Sequence, residues 1–142
     1  MKTLIVVPAR YGSTRFPGKP LVEIAGRTMV SRVAAMASRA AAKLDDAASI
    51  VATDDTRISE HCRELGIDVV MTDPDVPSGT DRALAAVEAM GVSPEVVVNL
   101  QGDSPFTPPS HVVAVAKAAA QSGADAATPY VRLTWQALDD FR

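Results

Sequence analysis

Residues 8–21 read Pro8-Ala9-Arg10-Tyr11-Gly12-Ser13-Thr14-Arg15-Phe16-Pro17-Gly18-Lys19-Pro20-Leu21. Three cations, Arg10, Arg15 and Lys19, fall within ten residues, interleaved with Gly12, Gly18, Ser13 and Thr14. Glycines let backbone N–H groups close on phosphate oxygens that a Cβ would hold off. Arginine offers phosphate a planar fork, and lysine offers a compact point charge. The combination suits a polyphosphate. It matches neither of two familiar phosphate motifs. No G-x-G-x-x-G spacing occurs, and the P-loop pattern G-x-x-x-x-G-K-[ST] does not fit. Five residues separate Gly12 from Gly18, and Pro20 follows Lys19. Pro17 and Pro20 also resist the helix that a P-loop opens. A solvated basic turn is the bland alternative. It leaves unexplained why the cluster directly follows a buried strand, where open α/β sheets bind ligands.

Two further segments carry chemistry. Gln101-Gly102-Asp103 follows an aliphatic run. A carboxylate there, facing a phosphate site, suits Mg²⁺, which takes one or two carboxylates plus phosphate oxygens and water. The rival reading is an ordinary Asp turn before Pro105. Ser78-Gly79-Thr80-Asp81-Arg82 opens a helical stretch. Ser78 is a competent N-cap, so this segment has a structural reading as well. Asp54 reads as the cap of the helix that follows it. Asp73-Pro74-Asp75 has the D-x-D spacing of metal-dependent glycosyltransferases but reads as a solvated turn. His61 and His111 read as surface residues, and Cys62 as a core residue rather than a nucleophile.

The elements that must position these groups are legible in the hydrophobic pattern. Residues 4–7, 49–53, 67–71 and 96–100 are aliphatic runs without polar alternation, as in parallel strands covered on both faces. Residues 124–129 form a weaker fifth run. Between them lie helical stripes: Met29, Val33, Met36, Ala40; Ile58, Cys62, Leu65; Ala83, Val87, Met90; and Val112, Val115, Ala119. Gly66, Gly91 and Gly123 stand where helix ends are expected. Alternation of strand and helix predicts a three-layer α/β/α fold with a mostly parallel sheet. Trp135, Leu138 and Phe141 make a last stripe that runs into the final residue, Arg142.

Composition narrows the function classes. Residues 1–142 read as one domain with a real core. Aromatics make up only 4% of the chain, so aliphatic residues and alanine must fill that core. The net charge of -3 offers no broad basic face for nucleic acid. Cys62 is the sole cysteine, so no internal disulfide forms, which fits a reducing compartment. The apolar stretch before Pro8 is too short to span a membrane and lacks the pattern of a signal peptide. The expected location is the cytoplasm.

The loop Pro8-Ala9-Arg10-x-Gly-Ser-x-Arg-x-Pro-Gly-Lys-Pro-Leu resembles the signature of cytidylyltransferases that act on Kdo (3-deoxy-manno-octulosonate) and on sialic acids. Gln101-Gly102-Asp103 resembles the Gln-Gly-Asp-Glu-Pro motif of the CMP-Kdo synthetase family, with Ser104 in place of Glu. Ser78-Gly79-Thr80-Asp81-Arg82 resembles that family's Ser-Gly-Thr-Glu-Arg, and Val51-Ala52-Thr53-Asp54 its Val-Ala-Thr-Asp. The resemblance covers residues 2–129 and implies a Rossmann-like nucleotide-diphospho-sugar transferase fold. It further implies CTP bound by Ala9, Arg10, Gly12, Ser13, Arg15, Lys19, Ser78, Gly79 and Gln101, with Arg82 a weaker base-contact candidate. Arg15, Lys19 and Asp103 would be catalytic, and Asp103 would hold Mg²⁺. The implied reaction transfers CMP from CTP to a keto-sugar acid, Kdo first, with release of pyrophosphate. The rival readings are the same reaction on N-acylneuraminate or another ulosonic acid, a nucleotide-sugar glycosyltransferase, and a nucleotide-binding fragment without activity. Family chains continue beyond this one. The expectation is therefore a chain truncated at its C-terminal end, inactive alone and homodimeric at full length.

Overall fold

The computed structural model describes residues 1–12, 16–132 and 134–136. β1 (Thr3–Ala9) is buried along its whole length, which its unbroken aliphatic sequence requires. It pairs in parallel with β4 (Ala47–Thr53) on one side and β6 (Val96–Asn99) on the other, and β5 (Val69–Met71) extends the sheet beyond β4. The order is β5-β4-β1-β6. Because every pairing is parallel, the segments that follow these strands emerge at one edge of the sheet.

Helices cover both faces. α1 (Met29–Ala41), α2 (Thr56–Glu64) and α4 (Pro109–Ser122) bury Ile5 and Val7 from one side. α3 (Gly79–Met90) buries Leu4 and Val6 from the other. This is the expected three-layer arrangement, with β1 sending alternate side chains into two separate cores.

Details of the packing differ from the sequence pattern. α1 presents Val30, Val33, Ala34, Ala37, Ala40 and Ala41 to the core, while Met29 and Met36 are half-buried. Alanines let the helix lie close to the sheet, so the buried stripe follows small residues and not the largest ones. Leu65 is 52% exposed because α2 has already ended and Leu65 is its C-cap. Residues 124–129 are not a strand. They are exposed throughout, with no neighbouring strand among the described residues to satisfy their backbone.

A two-stranded hairpin, β2 (Glu23–Ile24) with β3 (Arg27–Thr28), had no clear signal in the sequence. Its turn takes Ala25 at φ 47° and Gly26 at φ 72°, both left-handed. Alanine resists that conformation, and the Arg32 guanidinium holds it by donating to the carbonyls of Ile24 and Ala25. The hairpin delivers Thr28, whose hydroxyl caps α1 by accepting from the Ser31 N–H. No helix among the described residues is long and apolar enough to cross a membrane.

Candidate active site

Three segments converge at the carboxyl ends of β1 and β6. The chain leaving β1 turns back on itself, with the Gly18 N–H donating to the Tyr11 carbonyl at 2.9 Å. A short 3-10 helix, Lys19–Leu21, then buries Pro20 and leaves Lys19 over the sheet edge. The chain leaving β6 crosses hard against β1. A Cβ on Gly102 would stand 2.3 Å from the Pro8 carbonyl oxygen, so glycine alone fits there. The first turn of α3 forms the third wall, with Gly79 close to the Pro8 ring and to Oε1 of Gln101.

The result is an open cleft of about 570 Å³ lined by Pro8, Ala9, Arg10, Phe16, Lys19, Pro20, Met29, Gly79, Gln101, Gly102 and Asp103. Lys19 Nζ donates to Asp103 Oδ2 at 2.9 Å, joining residues far apart in sequence. The pair is open to water, its side chains 39% and 56% exposed. Such a pair is weakly held and can be rearranged by an incoming anion or cation. Arg10 donates to the Pro77 carbonyl at 3.2 Å and so links the loop to the segment before α3.

Of the residues singled out in the sequence, Ala9, Arg10, Lys19, Gly79, Gln101 and Asp103 share this cleft. Gly12 has no atom of the described residues within 4 Å of the position of a Cβ. Ser13 and Arg15 lie outside the described residues. The Ser78 hydroxyl is committed to capping α3: it accepts from the Asp81 N–H at 3.1 Å and donates to the Asp81 carboxylate. Any ligand contact by Ser78 therefore falls to its backbone. Arg82 is fully buried, which rules out a contact with a base.

Two of the single-residue readings, those of Asp54 and His61, differ from the structure, and those of Asp73, Asp75, His111 and Cys62 agree with it. Asp55, not Asp54, caps α2, accepting from the Arg57 N–H at 3.0 Å. Asp54 instead accepts from Arg82 Nη2 at 2.9 Å. His61 is half-buried and hydrogen-bonded to the Thr28 hydroxyl at 2.8 Å, beside a second cavity of about 400 Å³ between α1, α2 and the hairpin. His111 is exposed, as expected. Asp73 and Asp75 form a self-bonded exposed turn, the Asp75 N–H donating to the Asp73 carboxylate at 2.8 Å. Cys62 is buried, and burial pushes its thiol up to about 11, so it is no nucleophile at neutral pH. Trp135 is 84% exposed; Leu138 and Phe141 lie outside the described residues.

Sequence reasoning missed the brace behind the loop. Arg57 lies over the Tyr11 ring at 3.3 Å from its centroid, and Gly18 packs against the same ring. The Arg57 guanidinium also grips the Asp55 carboxylate, at 2.9 and 2.6 Å. That contact holds the Asp55 carboxyl below its ordinary range and raises the guanidinium. Phe16 and Met29 were missed as well, because an apolar side chain at a cleft rim has no distinguishing pattern in sequence.

Among the described residues no cluster of three or more His, Cys, Asp or Glu could cage a metal ion. A single carboxylate, Asp103, on an open cleft fits an ion that takes most of its oxygens from phosphate and water, as Mg²⁺ does. It does not fit a structural zinc site.

Known proteins resemble this chain in sequence and in fold. The sequence profile of the cytidylyltransferase family matches residues 4–139. The 3-deoxy-manno-octulosonate cytidylyltransferase of Maricaulis maris is 46% identical over 134 residues, which cover 94% of this chain and 51% of that protein. The same-named protein of Aliivibrio salmonicida is 46% identical over 129 residues, covering 90% and 50%. The solved structure of CMP:2-keto-3-deoxy-manno-octonic acid synthetase complexed with CTP superposes with a TM-score of 0.75 at 37% identity, covering 87% of this chain and 49% of that one. A cytidylyltransferase from Leptospira borgpetersenii, at 22% identity and a TM-score of 0.63, shares the fold. The chain spans about half the length of the curated relatives it matches. With nearly the whole chain covered by the profile, it belongs to the cytidylyltransferase family.

Proposed function

We propose that this chain supplies the CTP-binding half of an enzyme that transfers CMP from CTP to Kdo and releases pyrophosphate. The observation that carries the reading is the meeting of Lys19 and Asp103, at 2.9 Å, in a cleft at the carboxyl ends of β1 and β6. The similarity to proteins named for that reaction and to a CTP complex supports it.

In the proposed reaction the anomeric hydroxyl of the sugar acid attacks the α-phosphorus. A new P–O bond forms, the α–β P–O bond breaks, and pyrophosphate leaves as the hydroxyl proton passes to solvent. Catalysis of this kind rests on positioning and charge stabilisation. Lys19, Arg10 and Arg15 hold the triphosphate, and Lys19 and Arg15 neutralise charge on the departing pyrophosphate. Backbone N–H groups of Gly12 and Ser13 add contacts. Ala9, Ser78, Gly79 and Gln101 hold the nucleoside. Asp103 would hold Mg²⁺, which would supply positive charge to offset that of the phosphates.

The substrates are CTP and a keto-sugar acid; the net charge of -3 gives no general reason to expect nucleic acid. The location in this reading is the cytoplasm. The full-length protein is a homodimer in this reading. The test is pyrophosphate release from CTP by the full-length gene product, offered Kdo or N-acylneuraminate. Release with Kdo alone is expected. Release with N-acylneuraminate alone overturns the substrate, and release with neither overturns the reaction.

A further inference from the structure

Arg82 is the only charged residue buried among the described residues, with no exposed surface at all. Its guanidinium joins three segments. Nη2 donates to Asp54, just after β4, at 2.9 Å. Nη1 donates to the Thr72 hydroxyl at 2.5 Å and to the Asp73 carbonyl at 3.3 Å, both just after β5. Arg82 itself belongs to the first turn of α3, its N–H bonded to the Ser78 carbonyl at 3.0 Å. The same turn is tied to β6 from the other side by Asn99 Nδ2, which donates to the Thr80 hydroxyl at 3.2 Å.

The turn so strapped is the cleft's third wall. Gly79 lines the cleft, Ser78 caps the helix, and Pro77 offers the carbonyl that Arg10 holds. A buried arginine is costly to desolvate, and it is retained where its fork fixes several acceptors at once. Burial pushes the guanidinium down, Asp54 opposes that shift, and the charge of Arg10 adds to it. Arg10 ties the phosphate loop to the same wall through its bond to the Pro77 carbonyl at 3.2 Å.

We infer that Arg82 is a positioning residue for the nucleoside side of the CTP site: it fixes the corner Pro77-Ser78-Gly79 from beneath without touching the ligand. The inference rests on the CTP reading above. It differs from the role of Lys19, which acts on phosphates directly. An arginine that sets the nucleoside wall affects cytidine, CMP and CTP alike, whereas a phosphate contact grows in importance with each added phosphate.

The test is calorimetric titration of CMP, and of CTP with Mg²⁺, into the unaltered protein, Arg82→Gln, Arg82→Lys, Thr72→Val and Lys19→Ala, each below its unfolding midpoint. Arg82→Gln is expected to weaken CMP and CTP by the same factor, about tenfold or more, because sub-ångström misplacement of a site is felt strongly. Arg82→Lys restores part of that loss, since a lysine reaches one or two of the three acceptors. Lys19→Ala weakens CTP far more than CMP. If Arg82→Gln does not fold, Thr72→Val decides, with a smaller loss shared equally by both ligands. Lowered unfolding midpoints with unchanged affinities would reduce Arg82 to a stabilising residue and overturn the inference. So would a loss confined to CTP. Absence of binding by the unaltered protein would instead remove the CTP reading beneath it.

Discussion

Two ion pairs of equal length stand at the carboxyl edge of the sheet, and burial divides their roles. Lys19–Asp103 and Arg82–Asp54 both measure 2.9 Å. The first pair is 39% and 56% exposed, the second 0% and 15%. In water a pair of this kind is held by about 0–1 kcal/mol, so ligands can rearrange it freely. Inside the protein, breaking a pair by removing one partner leaves a charge with no compensation. The open cleft is thus built to respond, and the underside of α3 is built to stay fixed. A site that binds a mobile polyphosphate needs both.

The comparison breaks most visibly at Arg82. Arg82→Met is expected to destabilise the chain by about 3 kcal/mol, the low end for a broken buried pair, because Asp54, 15% exposed, is left without its cation. Urea unfolding measures it, and a loss below about 1 kcal/mol would put the pair in the weak class typical of the surface. Gly102→Ala comes next. Its Cβ would fall 2.3 Å from the Pro8 carbonyl, so the loop must shift, at about 1–3 kcal/mol as for overpacking elsewhere. The same titration should find weaker binding of CTP and Mg²⁺, since the loop carries Asp103.

Lys19→Ala sharpens the contrast from the other side. Stability should change by less than about 1 kcal/mol. CTP affinity should fall roughly ten- to a hundredfold, as expected for loss of a charged hydrogen bond to phosphate. Equal losses for CTP and cytidine would mean that Lys19 supports the fold instead.

The smallest effect is at the brace. The Asp55 carboxyl is held below its ordinary range, chiefly by Arg57. A depressed carboxylate contributes stability above its unfolded pKa and loses it as pH falls through the folded value. Asp55→Asn should therefore cost about 0.5–1 kcal/mol at neutral pH, the usual worth of an anion at a helix N-terminus. That difference should vanish in strong acid. A difference that persists there would assign the effect to packing against Arg57 and Tyr11, not to charge.

The sequence made the strands, the layers and most of the cleft legible because their signals are local. An aliphatic run such as residues 4–7 has few other readings, and the Arg10 to Lys19 cluster is dense in groups that bind phosphate. The brace and the buried pair were not legible, because Tyr11–Arg57 and Asp54–Arg82 are contacts made only when the chain folds. Asp54 and Asp55 are adjacent carboxylates, and pattern alone could not say which caps α2. The α1 stripe was misread at Met29 and Met36 because close packing on a sheet favours alanine over the larger side chain. Residues 124–129 show the opposite failure, an apolar run with no strand beside it to pair with.

The central claim is that the cleft between the Lys19 loop and Asp103 is a CTP site. Calorimetric titration of CTP and of ATP, each with Mg²⁺, into the unaltered protein and into Asp103→Asn tests it most directly. The account predicts that CTP binds at least about tenfold more tightly than ATP, a difference of about 1.4 kcal/mol. It also predicts that Asp103→Asn reduces the enhancement of CTP binding by Mg²⁺. Equal affinity for the two nucleotides, or Mg²⁺ enhancement untouched by the substitution, would contradict it.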